Sequence, residues 1–98
     1  MLEHRYHRRI PLDLPATLRT RRGETMSCRI TDVCIDGIGL VCNDARLSEG
    51  AIVEVDVPAP REDQARTSPR SYVVHADGER VGLMWLDDAE VPACLQPG

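Results

Sequence analysis

The 98-residue sequence has few aromatic side chains, no phenylalanine and no long apolar run. Aromatic residues make up 3% of the chain, whereas proteins that bind single-stranded nucleic acid stack bases on exposed rings. A membrane-spanning helix needs roughly 20 consecutive apolar residues, and every apolar stretch here is far shorter. The first residues also lack the apolar core of a signal peptide. We therefore expect a cytoplasmic protein without a membrane span.

Lysine is absent as well, because all 12 basic residues are arginine. With 16 acidic residues the formal net charge is -4, which disfavours a general DNA- or RNA-binding protein, since such proteins need a broad positive field. Arg5, Arg8 and Arg9 nevertheless cluster near the N-terminus. A guanidinium is a planar fork of donors that fits phosphate or guanine, so this cluster indicates recognition of a compact anion.

The four cysteines form no C-x-x-C pair, and no two histidines stand beside them at metal-ligand spacing. Neither a zinc site nor another metal or cofactor is predicted. In a cytoplasmic protein the thiols are expected to be reduced. Cys28 and Cys42 fall in strand-like segments, where we interpret them as small apolar residues.

Apolar and polar residues alternate through most of the chain, which is the period of a half-buried strand. The first alternating segment starts at Leu12, and the second includes Met26, Cys28 and Ile30. Further apolar runs cover residues 38–42, 51–57, 71–75 and 80–86. Short strands joined by turns predict an all-β protein. We favour a small six-stranded antiparallel β-barrel, because closure removes exposed strand edges.

The length fits one domain, so residues 1–98 are assigned to a single domain. Within it, residues 1–11 are predicted to form a flexible loop that carries the arginines, because Ile10 precedes a proline and is pushed towards extended backbone. Residues 12–86 then form the barrel. Residues 87–98 form a tail with room for no more than a short helical turn.

Two short motifs, read together, resemble the signature of the PilZ domain family, R-x-x-x-R followed by [D/N]-x-S-x-x-G. Arg5 and Arg9 stand four residues apart, and residues 32–37 read D-V-C-I-D-G. Residues 80–85, which follow a tight turn, also look like the last barrel strand of that family. The resemblance covers nearly the whole chain. It implies a bacterial receptor for the second messenger cyclic di-GMP, whose N-terminal loop wraps the ligand against the barrel.

The resemblance also implies a role for each matching residue. Arg5 and Arg9 would contact the phosphates and guanines of the ligand, to which a guanidinium can make bidentate bonds. Asp32 would accept hydrogen bonds from a guanine edge, and Gly37 would keep the barrel surface open to the ring. Cys34 stands where the family has serine, and its thiol is a weaker donor than a hydroxyl. We expect weakened binding rather than lost binding.

Two further residues are secondary candidates for ligand contact. Arg8 lies beside Arg9 but outside the paired spacing, so it is at best an additional contact. His75 precedes the last tight turn, near where some members of the family carry an aromatic residue that stacks on guanine. An exposed strand histidine without a ligand role is an equal alternative.

Three alternatives compete with a nucleotide receptor. The first keeps the fold and drops the ligand, leaving a PilZ-like module that docks on a partner protein. The second is a barrel that binds single-stranded nucleic acid, which the shortage of aromatic residues disfavours. The third is an enzyme that uses Cys34 with His75 or His7 as base, but no phosphate-loop motif, metal cluster or carboxylate pair supports it. We therefore expect no catalytic residues, and a receptor that acts through an effector protein of unknown identity.

Overall fold

The computed structural model describes residues 9–43, 47–57, 68–86 and 91–95. The described residues form six strands and one 3-10 turn. The strands are β1 (Ile10–Thr20), β2 (Thr25–Cys34), β3 (Gly37–Cys42), β4 (Ile52–Asp56), β5 (Arg70–Asp77) and β6 (Arg80–Trp85). The 3-10 turn, Ala93–Leu95, lies in the tail, for which the sequence predicted no more than a short helical turn. No helix in these ranges is long and apolar enough to cross a membrane.

The strands close into a barrel in the order β1-β2-β3-β6-β5-β4, and every neighbouring pair is antiparallel. Pairing of residues 17–20 of β1 with residues 53–56 of β4 completes the ring. A closed ring leaves no strand edge that could pair with another chain. The predicted all-β, six-stranded antiparallel barrel is confirmed.

Side chains that alternate along each strand fill the inside of the barrel. In β3, Ile38 and Leu40 point inward, and in β6, Val81 and Leu83 do the same. Leu95, from the 3-10 turn, is fully buried against this core. Burying an aliphatic side chain of this size is worth about 1.5–3 kcal/mol. Because a slip of one residue would turn the whole apolar set outward, this pattern fixes which face of each strand meets solvent.

The first two strands are longer than the sequence pattern indicated. β1 begins at Ile10 rather than at Leu12, and β2 continues to Cys34. The break predicted over residues 32–37 therefore shrinks to a turn at residues 35 and 36. The predicted N-terminal loop can extend no further than residue 9, and its residues 1–8 lie outside the described part of the chain.

Cross-strand pairing explains the extension. Ile10 pairs with Val33 and Pro11 pairs with Asp32, which adds both residues to the β1–β2 ladder. The register then shifts between Pro11 and Leu14. Proline lacks an N–H donor and is tolerated near strand starts and bulges. The same proline that predicted a loop is thus accommodated at the start of a strand.

The prediction that the cysteines are reduced is wrong for one pair, because a disulfide joins Cys28 and Cys42. These residues stand directly opposite each other in the β2–β3 ladder, with Cα atoms 4.3 Å apart, and both side chains are buried. They occupy core positions as predicted, but as a covalent link between strands. In the described ranges, Cys34 and Cys94 are free thiols.

Candidate functional site

A groove of about 590 Å³ lies on the outer surface of β2, β3, β6 and β5. Its volume is typical of sites for small molecules, which run from about 300 to 1,000 Å³. We call this surface the groove face. The polar and sulfur-containing side chains around the groove include Arg9, Asp32, Cys34, His75, Arg80 and Met84.

Strand register places one row of groove residues across the sheet. Asp32 of β2 pairs with Gly39 of β3. Gly39 pairs in turn with Gly82 of β6, which pairs with His75 of β5. Neighbouring strands lie about 4.8 Å apart, so the row from Asp32 to His75 spans roughly 14 Å. Neither glycine has a side chain, but the Asp32 carboxylate lies against the outer face of Gly39, so the bare backbone of the groove floor is at Gly82.

The carboxylate of Asp32 contacts two groups at the edge of this floor. Its Oδ1 accepts a hydrogen bond from the Gly39 N–H at 3.1 Å, which ties the side chain to the neighbouring strand. Its Oδ2 lies 3.9 Å from Nη1 of Arg9, which is too long for a hydrogen bond. The Arg9 side chain is 76% exposed, against 27% for Asp32. Such an exposed, loose ion pair contributes little stability and is easily replaced.

Two of the predicted ligand residues, Arg9 and Asp32, are therefore brought together by the fold. The cause is the extension of β1, because Pro11 pairs with Asp32 and so carries residue 9 to the rim of the groove. His75 lines the opposite rim from β5. Arg5 and Arg8, the other predicted contacts from the N-terminal segment, lie outside the described residues.

Cys34 and Gly37 pair with each other where β2 ends and β3 begins. Cys34 is half-buried and lines the groove. Gly37 is buried, and its φ is not in the left-handed region. A Cβ atom at this position would lie 1.8 Å from the carbonyl oxygen of Leu83 in β6. The close approach of two backbones therefore requires this glycine, and its role in keeping the surface open to a ligand ring stays a prediction.

The groove residues that sequence reasoning missed include Gly39, Gly82 and Arg80. Each glycine interrupts a strand between two apolar residues, a pattern that often marks a close approach by a backbone or a ligand. That signal was present twice and could have been used. Arg80 gave no comparable signal, because its place beside the groove depends on the pairing of β6 with β3.

The charges around the groove are less paired than those elsewhere on the barrel. Arg80 is exposed and takes part in none of the ion pairs found among the described residues. By contrast, Arg19 pairs with Glu54 at 2.9 Å, and Arg29 pairs with Asp13. No set of three or more His, Cys, Asp or Glu side chains in the described ranges could hold a metal ion. The groove thus offers cations together with two acidic residues, Asp32 and Asp36, which suit a molecule that carries both anionic groups and hydrogen-bond donors.

Comparison with known proteins agrees with this architecture. The PilZ domain family matches residues 3–95. A solved structure described as the PilZ domain of CeSA from a cellulose-synthesizing bacterium has the same fold, with a TM-score of 0.69 and 19% sequence identity. The match covers 83% of this chain and 82% of that one. None of the curated proteins gives a significant match. Since the family match spans most of the sequence, this chain belongs to the PilZ domain family, a family of cyclic di-GMP receptors.

Proposed function

We propose that this protein is a bacterial cytoplasmic receptor that binds cyclic di-GMP in the groove and signals to an effector protein without catalysing a reaction. The observation that carries the proposal is the meeting of Arg9 and Asp32 at the groove rim, 3.9 Å apart and loosely paired. One belongs to the arginine motif and the other to the second motif of the family signature. One residue from each motif, Arg9 and Asp32, thus lines a groove of a size that suits a small molecule, which supports the proposal.

The donors and acceptors at the rim are complementary to such a ligand. An arginine can form bidentate bonds with guanine O6 and N7 or with phosphate, and can also stack on the base. Guanine in turn offers N–H donors to a carboxylate. Asp32 has Oδ1 committed to Gly39, while Oδ2 makes only the long contact with Arg9. A ligand can therefore take both the guanidinium and Oδ2 without breaking a hydrogen bond of the fold.

The energies are sufficient for a signalling ligand. Hydrogen bonds to charged groups contribute about 1.5–3 kcal/mol each. A few such bonds reach the roughly 8 kcal/mol of a micromolar complex. Ordering of the segment that carries Arg5 and Arg8 would subtract from this total. We expect the thiol of Cys34 to contribute less than the family serine would, because it is a weak donor.

The proposed signal is a change in the N-terminal segment. Residue 9 immediately precedes β1, and Ile10 is fixed to Val33 by strand pairing. A ligand that holds Arg9 together with Arg5 would therefore fix the path of residues 1–8 relative to the groove. An effector protein would bind the ordered segment and the neighbouring barrel surface.

Calorimetric titration with cyclic di-GMP tests the binding step. The wild type should bind at micromolar concentration, and Arg5→Ala and Arg9→Ala should each weaken binding at least about tenfold, the equivalent of roughly 1.4 kcal/mol. Arg22→Ala, in the exposed β1–β2 turn, is the matched control and should bind like the wild type. Absence of binding by a folded wild type would refute the proposal.

Hydrogen exchange tests the signalling step separately. Saturation with ligand should increase protection of residues 1–11, while the β1–β4 pairing at residues 17–20, which is far along the strand from the groove, should not change. Unchanged exchange in residues 1–11 would leave a ligand-binding protein with a different output.

A PilZ-like module that docks on a partner without nucleotide is the second candidate. The observation in its favour is Ile35, which is 67% exposed in the turn between β2 and β3. An exposed isoleucine at a loop tip can anchor a protein contact. This candidate gains support if the folded protein fails to bind cyclic di-GMP and an Ile35→Ser variant loses a partner that the wild type retains.

A further inference from the structure

A β-bulge in β2 sets the direction of the Asp32 side chain. The β2–β3 register shifts between Ile30 and Asp32, which leaves Thr31 as an extra residue beside Gly39. Thr31 is exposed and Asp32 is half-buried, whereas Ile30 and Val33 on either side of them point into the core. Two successive side chains therefore lie on the outer surface, which is how a bulge redirects a side chain.

Both side chains of the bulge bind the backbone of Gly39. The Thr31 hydroxyl donates to the Gly39 carbonyl oxygen at 3.3 Å, and the Gly39 N–H donates to Oδ1 of Asp32 at 3.1 Å. One carboxylate oxygen is thereby fixed against β3. The other, Oδ2, is left on the side of the groove, where it lies 3.9 Å from Nη1 of Arg9. The bond to Gly39 thus determines which oxygen of Asp32 a ligand can reach.

The space that a side chain at position 39 would take is filled by the Asp32 carboxyl group. The φ of Gly39 is not in the left-handed region, so backbone strain does not explain the glycine. A Cβ added at Gly39 would lie 2.7 Å from Oδ1 and 3.2 Å from Cγ and Oδ2 of Asp32, which are its three nearest atoms beyond the flanking residues. At Gly37, by contrast, an added Cβ would meet backbone atoms of Leu83 and Met84. Gly37 is required by the packing of two strands, whereas Gly39 makes room for one side chain.

The two glycines of β3 should therefore respond differently to substitution. A backbone cannot easily shift away from a methyl group at position 37, but the Asp32 carboxylate can rotate away from one at position 39, because side chains move between rotamers. A glycine inside a strand also lowers stability, since it adds entropy to the unfolded chain and packs no side chain. The fold accepts alanine at position 39 at the cost of the hydrogen bond to Asp32. What alanine removes is the fixed position of the carboxylate.

We propose that Gly39 is a positioning residue for ligand binding, which holds the Asp32 carboxylate with its N–H and admits it by having no side chain. This inference rests on the proposed function for the identity of the ligand. A carboxylate that is already held in place does not have to be ordered when the ligand binds, so less of the binding energy is lost. Oδ2 is then directed to accept a hydrogen bond from the ligand. Because the carboxylate covers its outer face, Gly39 acts through Asp32.

A double-mutant cycle tests the inference, with Gly39→Ala made both in the wild type and in Asp32→Ala. In calorimetric titration with cyclic di-GMP, Gly39→Ala alone should raise the Kd at least about tenfold, equivalent to roughly 1.4 kcal/mol. In the Asp32→Ala background, titrated at higher ligand concentration, Gly39→Ala should change the Kd by less than about twofold, because the group that the methyl displaces is already gone. A residue that only supports the strand would act equally in both backgrounds.

The melting temperatures of the same four proteins give a second readout that needs no ligand. Gly39→Ala should be less favourable in the wild type, where it breaks the hydrogen bond to Asp32, than in Asp32→Ala, where it only removes entropy from the unfolded chain. The matched control is Ser27→Thr, which adds a methyl group at an exposed position of β2 outside the groove. The control should bind cyclic di-GMP like the wild type.

The outcomes separate this inference from the receptor function. If Gly39→Ala binds cyclic di-GMP within about twofold of the wild type, or weakens binding equally in both backgrounds, the inference is wrong and the receptor function stands. Unfolding of Gly39→Ala in both backgrounds would also overturn the inference, because the backbone would then require the glycine. If the wild type does not bind cyclic di-GMP but the melting temperatures are coupled, the receptor function fails and the placement of Asp32 by Gly39 stands. If there is neither binding nor coupling, both proposals fail.

Discussion

Two outer surfaces of the same barrel differ in how they use their charged residues. On the surface of β1 and β4, which we call the paired face, Arg19 and Glu54 occupy opposing positions of the two strands and form an ion pair at 2.9 Å. On the groove face, Arg9 stands 3.9 Å from Asp32, and Arg80 has no ion-pair partner among the described residues. The groove face also exposes backbone at Gly82, where the paired face exposes side chains.

The difference shows that the presence of arginine does not by itself identify a binding surface. Both faces carry arginine, but Arg19, the arginine of the paired face, already has a carboxylate partner supplied by the fold. The arginines of the groove face keep donors available, and they surround a floor that a flat molecule can approach. A binding surface is therefore recognised by arginine N–H donors that have no close partner in the folded protein, together with exposed backbone.

The largest expected effect is the loss of unfolding free energy when the disulfide between β2 and β3, the strands under the groove, is removed. The paired face has an ion pair on its surface, whereas β2 and β3 are joined inside the core by the Cys28–Cys42 disulfide. A loop of this length loses about 3 kcal/mol of stability without its cross-link. Urea unfolding of oxidised protein, of reduced protein and of Cys28→Ala/Cys42→Ala should show a loss of this size for the last two. Equal midpoints for all three would mean that the link does not stabilise the groove face.

Removal of Arg9 should have the next largest effect, and it tests the comparison directly. Arg9→Ala should raise the Kd for cyclic di-GMP by roughly 10- to 150-fold, because a charged hydrogen-bonding group is worth about 1.5–3 kcal/mol. Arg19→Ala is the control on the paired face; it should leave the Kd unchanged and lower stability by about 0.2–1 kcal/mol. Similar Kd changes for the two variants would contradict the claim that the groove face binds the ligand and the paired face does not.

Substitutions of Asp32 should have a smaller effect on the Kd, and they separate its proposed ligand contact from its hydrogen bond to the Gly39 N–H. Asp32→Asn keeps an oxygen acceptor for the Gly39 N–H but loses the charge, so the Kd should rise about tenfold, or 1.4 kcal/mol, with stability nearly unchanged. Asp32→Ala should also lose about 1 kcal/mol of stability, because the hydrogen bond to Gly39 is removed. Glu54→Gln makes the same charge change on the paired face and should not alter the Kd. Urea unfolding and calorimetry measure the two quantities.

The smallest effect is expected at Cys34, the residue that departs from the family signature. Cys34→Ser should leave the Kd unchanged or lower it by up to a few fold, since a hydroxyl is the stronger donor and a neutral hydrogen bond is worth about 0.5–1.5 kcal/mol. Cys94→Ser, at the other free cysteine, is the control and should change nothing. A large loss of affinity for Cys34→Ser alone would place the thiol in a role that a hydroxyl cannot fill.

The fold was predictable from the sequence because strand alternation is a local property. Residues such as Leu40 and Leu83 show their inward direction in the sequence pattern, and the turn at Asp77 and Gly78 shows where β5 and β6 reverse. The extent of β2 was not predictable in the same way. Asp32 looks like a loop residue on its own, and only its pairing with Pro11 and Gly39 keeps it within the sheet.

The candidate site was predictable where it follows a motif and not where it depends on register. Arg9, Asp32 and Cys34 were named from their resemblance to the family signature, and all three line the groove, while their contact with a ligand stays a prediction. The disulfide and the Gly39–Gly82 floor depend on which residues face each other across strands, and the β2–β3 ladder even shifts register between Ile30 and Asp32. Such shifts cannot be derived from the sequence pattern alone, because alternation defines faces but not partners.

The entry of the chain into the barrel has a practical consequence. Because Ile10 already pairs with Val33 and residue 9 lies at the rim of the groove, the chain enters the barrel beside the proposed ligand site. A fluorescent protein or an enzyme fused ahead of residue 1 would be joined to the groove rim through residues 1–8, the segment proposed to become ordered with ligand, and no movement would need to pass through the disulfide-linked core. The barrel could in this way serve as a rigid adaptor for a genetically encoded reporter.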